Sequence, residues 1–350
     1  MTEQPDGECQ TVDWSAQQAL VTGGCSFIGS HLVDALVARG ATVRVADNLS
    51  TGRRENIARW VDAGAVELLE ADLLAPGAAE RAVRGVDYVF HLAADHGGRG
   101  YIDMHQAACA TNLALDGLVI RAAHRAGVRK LVFASSGCVY PTELQADPDA
   151  IVYLREDMVR PPYSADGMYG WAKLMGELTL GAYYRDLGFP SASLRYFTAY
   201  GERCLESHAV IAMIARAYAR QDPFVVWGTG AQIRNWTYVA DIVEGTIRAA
   251  ERIGDATAVN LGTSERTRVM DAAREVLRRT GVSARIATDP GKPTGPYNRV
   301  ADNSLARTLL GWEPGVSFSD GLDRTIRWYF ATRAAATGLD GDWERRLTEH

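Results

Sequence analysis

The sequence has no long apolar run and no block of charge of one sign. Its 37 basic and 43 acidic residues are interspersed and leave a net charge of -6, so we expect neither a nucleic-acid-binding nor a membrane-binding surface. No stretch approaches the roughly 20 apolar residues of a membrane span. The N-terminus is acidic and polar, unlike a signal peptide. The composition, 47% apolar and 23% charged, is that of an ordinary globular protein.

Cysteine is also scarce. The five cysteines are odd in number and form neither a CxxC pair nor the spacing of a metal site. A framework of disulfides is therefore not expected. This usage favours a reducing, cytoplasmic setting, and we expect no bound metal.

What the chain does contain is a regular alternation of strand and helix patterns. Apolar, β-branched runs predict strands over residues 19–22, 41–48, 66–72 and 86–94, and another from Lys130. Amphipathic stretches between them predict helices, including a long one over 103–127. This alternation predicts an α/β fold, a Rossmann-type doubly wound parallel sheet with right-handed crossovers.

The regular alternation of strands and helices ends after SLRYFTAYG, residues 193–201. Helices and short strands are mixed there, and Gly and Pro cluster at 289–296, so we expect a smaller C-terminal mixed α/β region that binds the substrate. The predicted division is a flexible tail over 1–16, a Rossmann domain over 17–198 to which segments around 235–262 return, a substrate-binding region over 199–234 and 263–334, and a tail over 335–350.

A glycine turn, TGGCSFIGS, follows the first strand and opens a helix. Gly23 permits the tight turn, Gly29 lets strand and helix pack closely, and the unpaired N–H groups of the helix N-terminus face a pyrophosphate. Asp47 ends the second strand, placed for a ribose 2′-hydroxyl, and its charge would repel a 2′-phosphate. We therefore expect NAD rather than NADP, although Arg53 and Arg54 lie near.

A second chemical feature is the run LVFASSGCVYP, read together with YGWAK. The first predicts a buried parallel strand that delivers Ser136 and Cys138 at its carboxyl end, where ligands bind in open α/β sheets. In the second, Tyr169 and Lys173 share one helix face. A lysine ammonium favours the phenolate, so we expect Tyr169 to act as a base well below its free pKa of about 10. Ser136, Tyr169 and Lys173 together suit hydride chemistry: Ser136 holds a substrate hydroxyl, Tyr169 removes its proton, and the carbon that bears it gives up a hydride.

Together these motifs resemble the extended short-chain dehydrogenase/reductases, the NAD-dependent epimerases and dehydratases of nucleotide sugars. The resemblance rests on TGGxxFIG, HLAA, SSxxxYP, YGxxK and RYFxxYG and runs over roughly residues 17–334. Within this family the sequence most resembles the GDP-mannose 3,5-epimerases. The likeness lies in the glycine-rich AADHGGRGYI after the fourth strand and in Cys138, two residues before the tyrosine of SSxCxYP.

The resemblance implies site residues of three kinds. The expected catalytic residues are Ser136, Cys138, Tyr169 and Lys173. The expected cofactor-binding residues are Gly23, Phe27, Ile28, Gly29, Asp47, Asn48, Asp72, Leu73, Leu92, Ala93, Ala94, Tyr169, Lys173 and Phe197. The expected substrate-binding residues are Gly98, Arg99, Thr198, Glu206, His208, Gln232, Arg234 and Arg299. The substrate would be a nucleotide-diphosphate sugar.

The resemblance also implies a homodimer in which two long helices of each chain pack together. The helix around 165–187 has more apolar surface than one sheet contact needs. The apolar residues that suggest this are Leu174, Leu178, Leu180 and Tyr183.

Cys138 suggests the reaction. A ketone at C4 of the sugar acidifies the hydrogens on C3 and C5, and a nearby thiolate could remove one that an acid on the opposite face returns inverted. We therefore expect inversion at C5, C3 or both of a GDP-hexose such as GDP-mannose. The lysine that partners this cysteine in the 3,5-epimerases has no counterpart in 201–210. Cys204 and Glu206 are candidates to take its place, and His208 stands where a phosphate-binding lysine is expected.

Other relatives differ at the same strand end. The 4,6-dehydratases carry Asp-Glu there and the uronate decarboxylases a Glu, so neither reaction is expected with Cys138. A UDP-sugar 4-epimerase, of UDP-glucose or UDP-glucuronate type, remains open, since Ser136, Tyr169, Lys173 and NAD suffice for it. A non-enzymatic NAD-sensing protein of the same fold would have no use for that serine, tyrosine and lysine. Ser26 replaces a glycine of the family's turn, and Thr198 an asparagine that contacts substrate.

Overall fold

The computed structural model describes residues 12–147 and 149–335. The strands, in chain order, are β1 Gln18–Thr22, β2 Thr42–Asp47, β3 Val66–Glu70, β4 Tyr88–His91, β5 Lys130–Ser136, β6 Ser191–Tyr196, β7 Ala199–Tyr200, β8 Phe224–Trp227, β9 Ile233–Arg234, β10 Thr237–Tyr238, β11 Ala258–Leu261, β12 Thr267–Arg268, β13 Ile286–Asp289 and β14 Asn298–Arg299.

Seven of these strands form one parallel sheet in the order β11-β6-β5-β4-β1-β2-β3. The order reverses between β1 and β4, which is the topological switch point where open α/β sheets bind ligands. The Rossmann-type fold class is confirmed. The strand predictions are confirmed as well, except that β1 begins one residue earlier, β2 and β4 begin one and two residues later, and β2, β3 and β4 end one, two and three residues earlier than predicted.

The helices are α1 Phe27–Ala38, α2 Ala58–Asp62, α3 Ala78–Ala82, α4 Arg99–Met104, α5 Gln106–Ala110, α6 Asn112–Arg125, α7 Gly167–Leu187, α8 Ala209–Tyr218, α9 Val239–Arg252, α10 Val269–Thr280, α11 Ser304–Leu310 and α12 Phe318–Ala335. Helices α1 and α9 cover one face of the large sheet, and α3, α6 and α7 cover the other. The central strands β1, β4, β5 and β6 are therefore buried on both faces, which explains their mainly apolar sequences, whereas the edge strand β3 keeps exposed glutamates. In the described ranges no helix is long and apolar enough to cross a membrane.

The prediction of one long helix over 103–127 is wrong, because the stretch forms α4, α5 and α6. The chain leaves the helical conformation at His105, where φ is -116° and ψ is 50°. The ring of His105 stacks on Tyr101 with centroids 4.2 Å apart. The side chain of Gln106 donates to the carbonyl of Ile102 at 2.6 Å and occupies an acceptor of the helix.

The later part of the chain builds three small sheets beside the large one. They are β7 with β10, β8 with β13, and β12-β9-β14. Strand β11 instead pairs with β6 and joins the large sheet. The predicted mixed α/β region is thus present, while the exact division into domains stays a prediction.

The predicted tails need one correction. Residues 1–11 and 336–350 lie outside the described residues, but 14–16 form a short 3₁₀ turn on the core. The Trp14 side chain is buried, and its indole N–H donates to Glu251 at 2.9 Å. A large aromatic ring that packs against Tyr88 and Phe90 anchors this segment.

Candidate active site

The glycine turn between β1 and α1 is shaped by close backbone approach. Gly23 has φ +69°, and a Cβ on Gly29 would lie 2.1 Å from the carbonyl oxygen of Gly23. Only glycine fits such a position. The Ser26 hydroxyl turns back and donates to Gly23 O at 2.7 Å. The extra side chain therefore points into the turn, and the N-terminus of α1 keeps its unpaired N–H groups for a pyrophosphate.

Asp47 lies at the end of β2, directly against this turn. Its carboxylate accepts hydrogen bonds from the backbone N–H groups of Cys25 and Leu49, both at 2.9 Å. Burial raises the pKa of Asp47, and these two hydrogen bonds oppose the rise. A carboxylate held in this way retains lone pairs for ribose hydroxyls.

One pocket of about 320 Å³ lies beyond the carboxyl ends of the central strands. Eight of the predicted cofactor residues line it: Phe27, Ile28, Gly29, Leu92, Ala94, Tyr169, Lys173 and Phe197. The other six stand at the ends of the first four strands and do not line the pocket: Gly23, Asp47, Asn48, Asp72, Leu73 and Ala93. Asp72 is exposed and caps its own loop by accepting from Leu74 N.

Ser136, Cys138, Tyr169 and Lys173 all line this pocket. Strand β5 ends at Ser136, and a short 3₁₀ turn over Gly137–Val139 carries the cysteine. Helix α7 lies directly on this turn, because a Cβ on Gly170 would be 2.3 Å from the carbonyl oxygen of Cys138. The glycine of YGxxK thus allows the helix to bring Tyr169 to the end of β5.

The electrostatics of Tyr169 differ from the expectation. Burial raises its pKa, the charges of Cys138 and Asp116 add to the rise, and a hydrogen bond with Ser136 opposes it. Lys173 lies 6.0 Å from the ring centroid, and burial lowers its own pKa. In this state desolvation outweighs the effect of the lysine.

The Lys173 ammonium provides a test of whether NAD fits. Its side chain is 1% exposed, and its Nζ atom has no hydrogen-bond partner among the described residues. Buried polar groups without partners are rare in native folds. Two ribose hydroxyls beside Lys173 would satisfy it, and the glycine turn and Asp47 complete a site that fits a dinucleotide.

Three arginines form the other end of the pocket. Arg99 and Arg299 both donate to Asp166 Oδ2, at 2.6 and 2.7 Å. Arg234 donates to the backbone carbonyls of Ile233, Thr294 and Pro296. Burial, together with the positive charges of Arg299 and Arg99, lowers its pKa to about 9. Such a cation, bonded to carbonyls, suits a phosphate.

Arg299 also reaches the cysteine, since its Nη1 atom lies 3.1 Å from the Cys138 sulfur. Burial alone would lower the pKa of Arg299, but the charges of Cys138 and Asp166 outweigh it and raise the pKa. A guanidinium at this distance stabilises negative charge on sulfur.

The remaining predicted substrate residues divide into two groups. Gly98, Thr198, His208 and Gln232 line the pocket with the arginines. Gln232 is 3% exposed, and its Oε1 atom has no partner in the described part of the chain. Burial lowers the pKa of His208 to about 4, which makes its imidazole neutral at pH 7.

Glu206 and Cys204 do not line the pocket. Glu206 accepts from the hydroxyl of Tyr329 at 2.5 Å and pairs with Arg333, so its carboxylate is directed to α12. Burial raises the pKa of Cys204, whose thiol lies against the carbonyl of Leu205. The structure therefore does not bring Glu206 to the pocket with the other predicted substrate residues, because its carboxylate binds partners on another helix.

Sequence reasoning missed two polar residues beside the arginines. Asp166 bridges Arg99 and Arg299, and Gln145 accepts from Arg299 Nε at 2.9 Å. An Asp just before a helix suggests an N-cap, which accounts for its position but not for its ion pairs. Gln145 carries no signal in the sequence.

The sequence profile of the NAD dependent epimerase/dehydratase family matches residues 19–262. The chain belongs to this family. UDP-glucuronic acid decarboxylase 2 of Arabidopsis thaliana is 32% identical over 313 residues, 89% of this chain and 67% of the relative. GDP-mannose 3,5-epimerase 1 of Oryza sativa subsp. japonica is 31% identical over 313 residues, 88% of this chain and 80% of the relative.

Solved structures agree with this assignment. The UDP-glucuronic acid 4-epimerase of Bacillus cereus, in complex with UDP-glucuronic acid and NAD, superposes with a TM-score of 0.80 at 27% identity, over 90% of this chain and 99% of that one. The chain is therefore an NAD-dependent enzyme of the epimerase, dehydratase and decarboxylase group, and its cofactor is NAD.

Proposed function

We propose that the protein is a nucleotide-sugar epimerase that acts through a transient 4-keto sugar and inverts C5, C3 or both of a GDP-hexose such as GDP-mannose. The observation that carries this proposal is the contact of Arg299 Nη1 with the Cys138 sulfur at 3.1 Å, in the pocket that holds Tyr169. A cysteine whose sulfur accepts a hydrogen bond from an arginine is a candidate base that simple hydride transfer does not require.

The residues divide the proton transfers between them. Tyr169, hydrogen-bonded to Ser136, accepts the proton of the C4 hydroxyl, while Ser136 orients that hydroxyl. NAD, held by the glycine turn, Asp47 and Lys173, would supply the hydride acceptor and donor, so no second substrate would be consumed. Beside the 4-ketone, the Cys138 thiolate accepts the proton from C5 or C3, and the electron pair moves into the ketone to give an enolate. The C–H bond that breaks is re-formed from the opposite face.

The donor on that opposite face must be a pocket residue other than Cys204 or Glu206, which are turned away. Two imidazoles line the pocket, those of His96 and His208, with centroids 6.2 Å apart. An anionic substrate would favour the protonated form of either ring. One thiol and one imidazole suffice for a single inversion.

A deuterium experiment tests the proposal. With GDP-mannose, UDP-glucose or UDP-glucuronate in D₂O, the product of a C5 or C3 epimerase gains deuterium at that carbon, as NMR would show. Cys138→Ala should abolish the exchange, and the isosteric Cys138→Ser should retain about 1% of it or less, a loss typical of removing a general base. Exchange at the parent rate in Cys138→Ala would contradict the assigned role.

The second candidate is a UDP-sugar 4-epimerase. It is favoured by the structural similarity to the Bacillus cereus 4-epimerase and by Ser136, Tyr169 and Lys173, which such a reaction needs. Its product would invert at C4 and carry no label from solvent. Inversion at C4 without deuterium from solvent would contradict the cysteine mechanism and favour the 4-epimerase.

A further inference from the structure

A buried string of polar side chains runs beneath the cofactor site. Thr22 and His91 are the last residues of β1 and β4 and pair across the sheet. The Thr22 hydroxyl lies 2.8 Å from His91 Nδ1, and His91 Nε2 lies 3.1 Å from Asp116 Oδ1 on α6. All three residues are at most 2% exposed.

The hydrogen bonds define the direction of this string. The Thr22 oxygen accepts from the backbone N–H groups of Leu92 and Ala93 at 3.1 and 3.0 Å. Both of its lone pairs are then used, so its hydroxyl proton is donated to His91 Nδ1. The neutral imidazole carries its own proton on Nε2 and donates it to Asp116. The loop after β4, which lines the cofactor site, therefore orients a buried carboxylate.

Two atoms of opposite charge near this string have no hydrogen-bond partner in the described ranges. They are Asp116 Oδ2 and Lys173 Nζ. The ring of Phe133 lies near Lys173 and His91: its centroid is 4.6 Å from the Lys173 ammonium and 5.9 Å from the centroid of the His91 ring. An uncompensated ammonium in such an apolar setting would lose its proton.

We propose that Asp116 is a positioning residue for the hydride reaction: its buried carboxylate keeps Lys173 charged behind Tyr169, and His91 and Thr22 hold that carboxylate in place. The effect of Asp116 on Lys173 does not depend on the proposed function, but its consequence for catalysis does. Burial lowers the pKa of Lys173, and Asp116 is the group whose charge opposes this. The charged and titratable groups that act on Tyr169 are Cys138 after β5, Asp116 on α6 and Cys109 on α5.

The scarcity of lysine allows a direct test. The chain has three lysines, Lys130, Lys173 and Lys292, so lysine labelled with ¹³C at Cε gives three NMR signals, and Lys173→Met identifies one of them. In the NAD-loaded enzyme, Asp116→Asn preserves an acceptor for His91 but removes the charge. The Lys173 signal should then titrate at a pH lower by about one unit or more, whereas Lys130 and Lys292 should not move.

The matched control is Asp95→Asn, which removes a neighbouring carboxylate that acts on Tyr101 and Cys109. It should leave the Lys173 titration unchanged. If Asp116→Asn does not fold, Asp116→Thr, whose hydroxyl can also accept from His91, replaces it. A Lys173 signal that titrates at the same pH with and without the Asp116 charge would overturn the proposal. No sugar is needed, so the result is independent of which carbon the enzyme inverts.

Discussion

At the scale of single residues, Arg234 is a partly buried cation whose hydrogen bonds go to backbone carbonyls. Arg234→Gln should weaken the binding of GDP or UDP about 10- to 100-fold, since a hydrogen bond from a charged group contributes about 1.5–3 kcal/mol. Calorimetric titration of the NAD-loaded enzyme would measure this. The exposed Arg268→Gln, on a strand that pairs with β9, removes the same charge and should leave the affinity unchanged. An equal loss of affinity in both variants would mean that the overall charge of the protein, rather than a contact with Arg234, accounts for the binding.

At the scale of elements, the position of α7 depends on the absence of a side chain at Gly170. In Gly170→Ala the new Cβ would lie 2.3 Å from the carbonyl oxygen of Cys138, so the helix must move away and carry Tyr169 with it. Overpacking of this kind costs about 1–3 kcal/mol, and we expect kcat to fall at least tenfold. Steady-state kinetics and thermal melts would show both effects.

The same helix offers the control. A Cβ on Gly181 would meet only the flexible end of Arg185, at 3.3 Å. Gly181→Ala should therefore raise stability by up to about 1 kcal/mol, the difference in helix propensity, and leave kcat unchanged. Similar kinetics for the two alanine variants would show that the helix contact at Gly170 does not position Tyr169.

At the scale of the whole molecule, a homodimer remains a prediction. Leu174 and Leu180, which suggested it, are buried in the core, but Trp171 and Met175 on the same helix are 37% and 44% exposed. These two share one face at i and i+4. We expect a dimer in sedimentation at micromolar concentration, and a monomer for Met175→Asp. Leu187→Asp, on a different face of the helix and also exposed, is the control that should remain dimeric; a monomeric parent protein would contradict the prediction.

The sequence by itself determined the fold class, the cofactor and the general class of chemistry. These properties depend on local patterns: apolar runs that must be strands, glycines that a turn requires, and Tyr169 and Lys173 brought onto one face by helical geometry alone. The glycine turn and Asp47, which begin the dinucleotide site, lie within one βαβ unit, so they are close in the chain and their spacing is readable.

Only the tertiary structure decided the residues' surroundings. It brought Arg299 from β14 to the Cys138 sulfur, joined Arg99 to Arg299 through Asp166, and turned Glu206 to α12. It also made burial, rather than Lys173, the largest influence on the pKa of Tyr169. These contacts join residues that are far apart in the chain, and desolvation depends on everything packed around a group. Neither the long-range contacts nor the degree of burial can be read from the local spacing of residues, because both depend on which distant segments fold together.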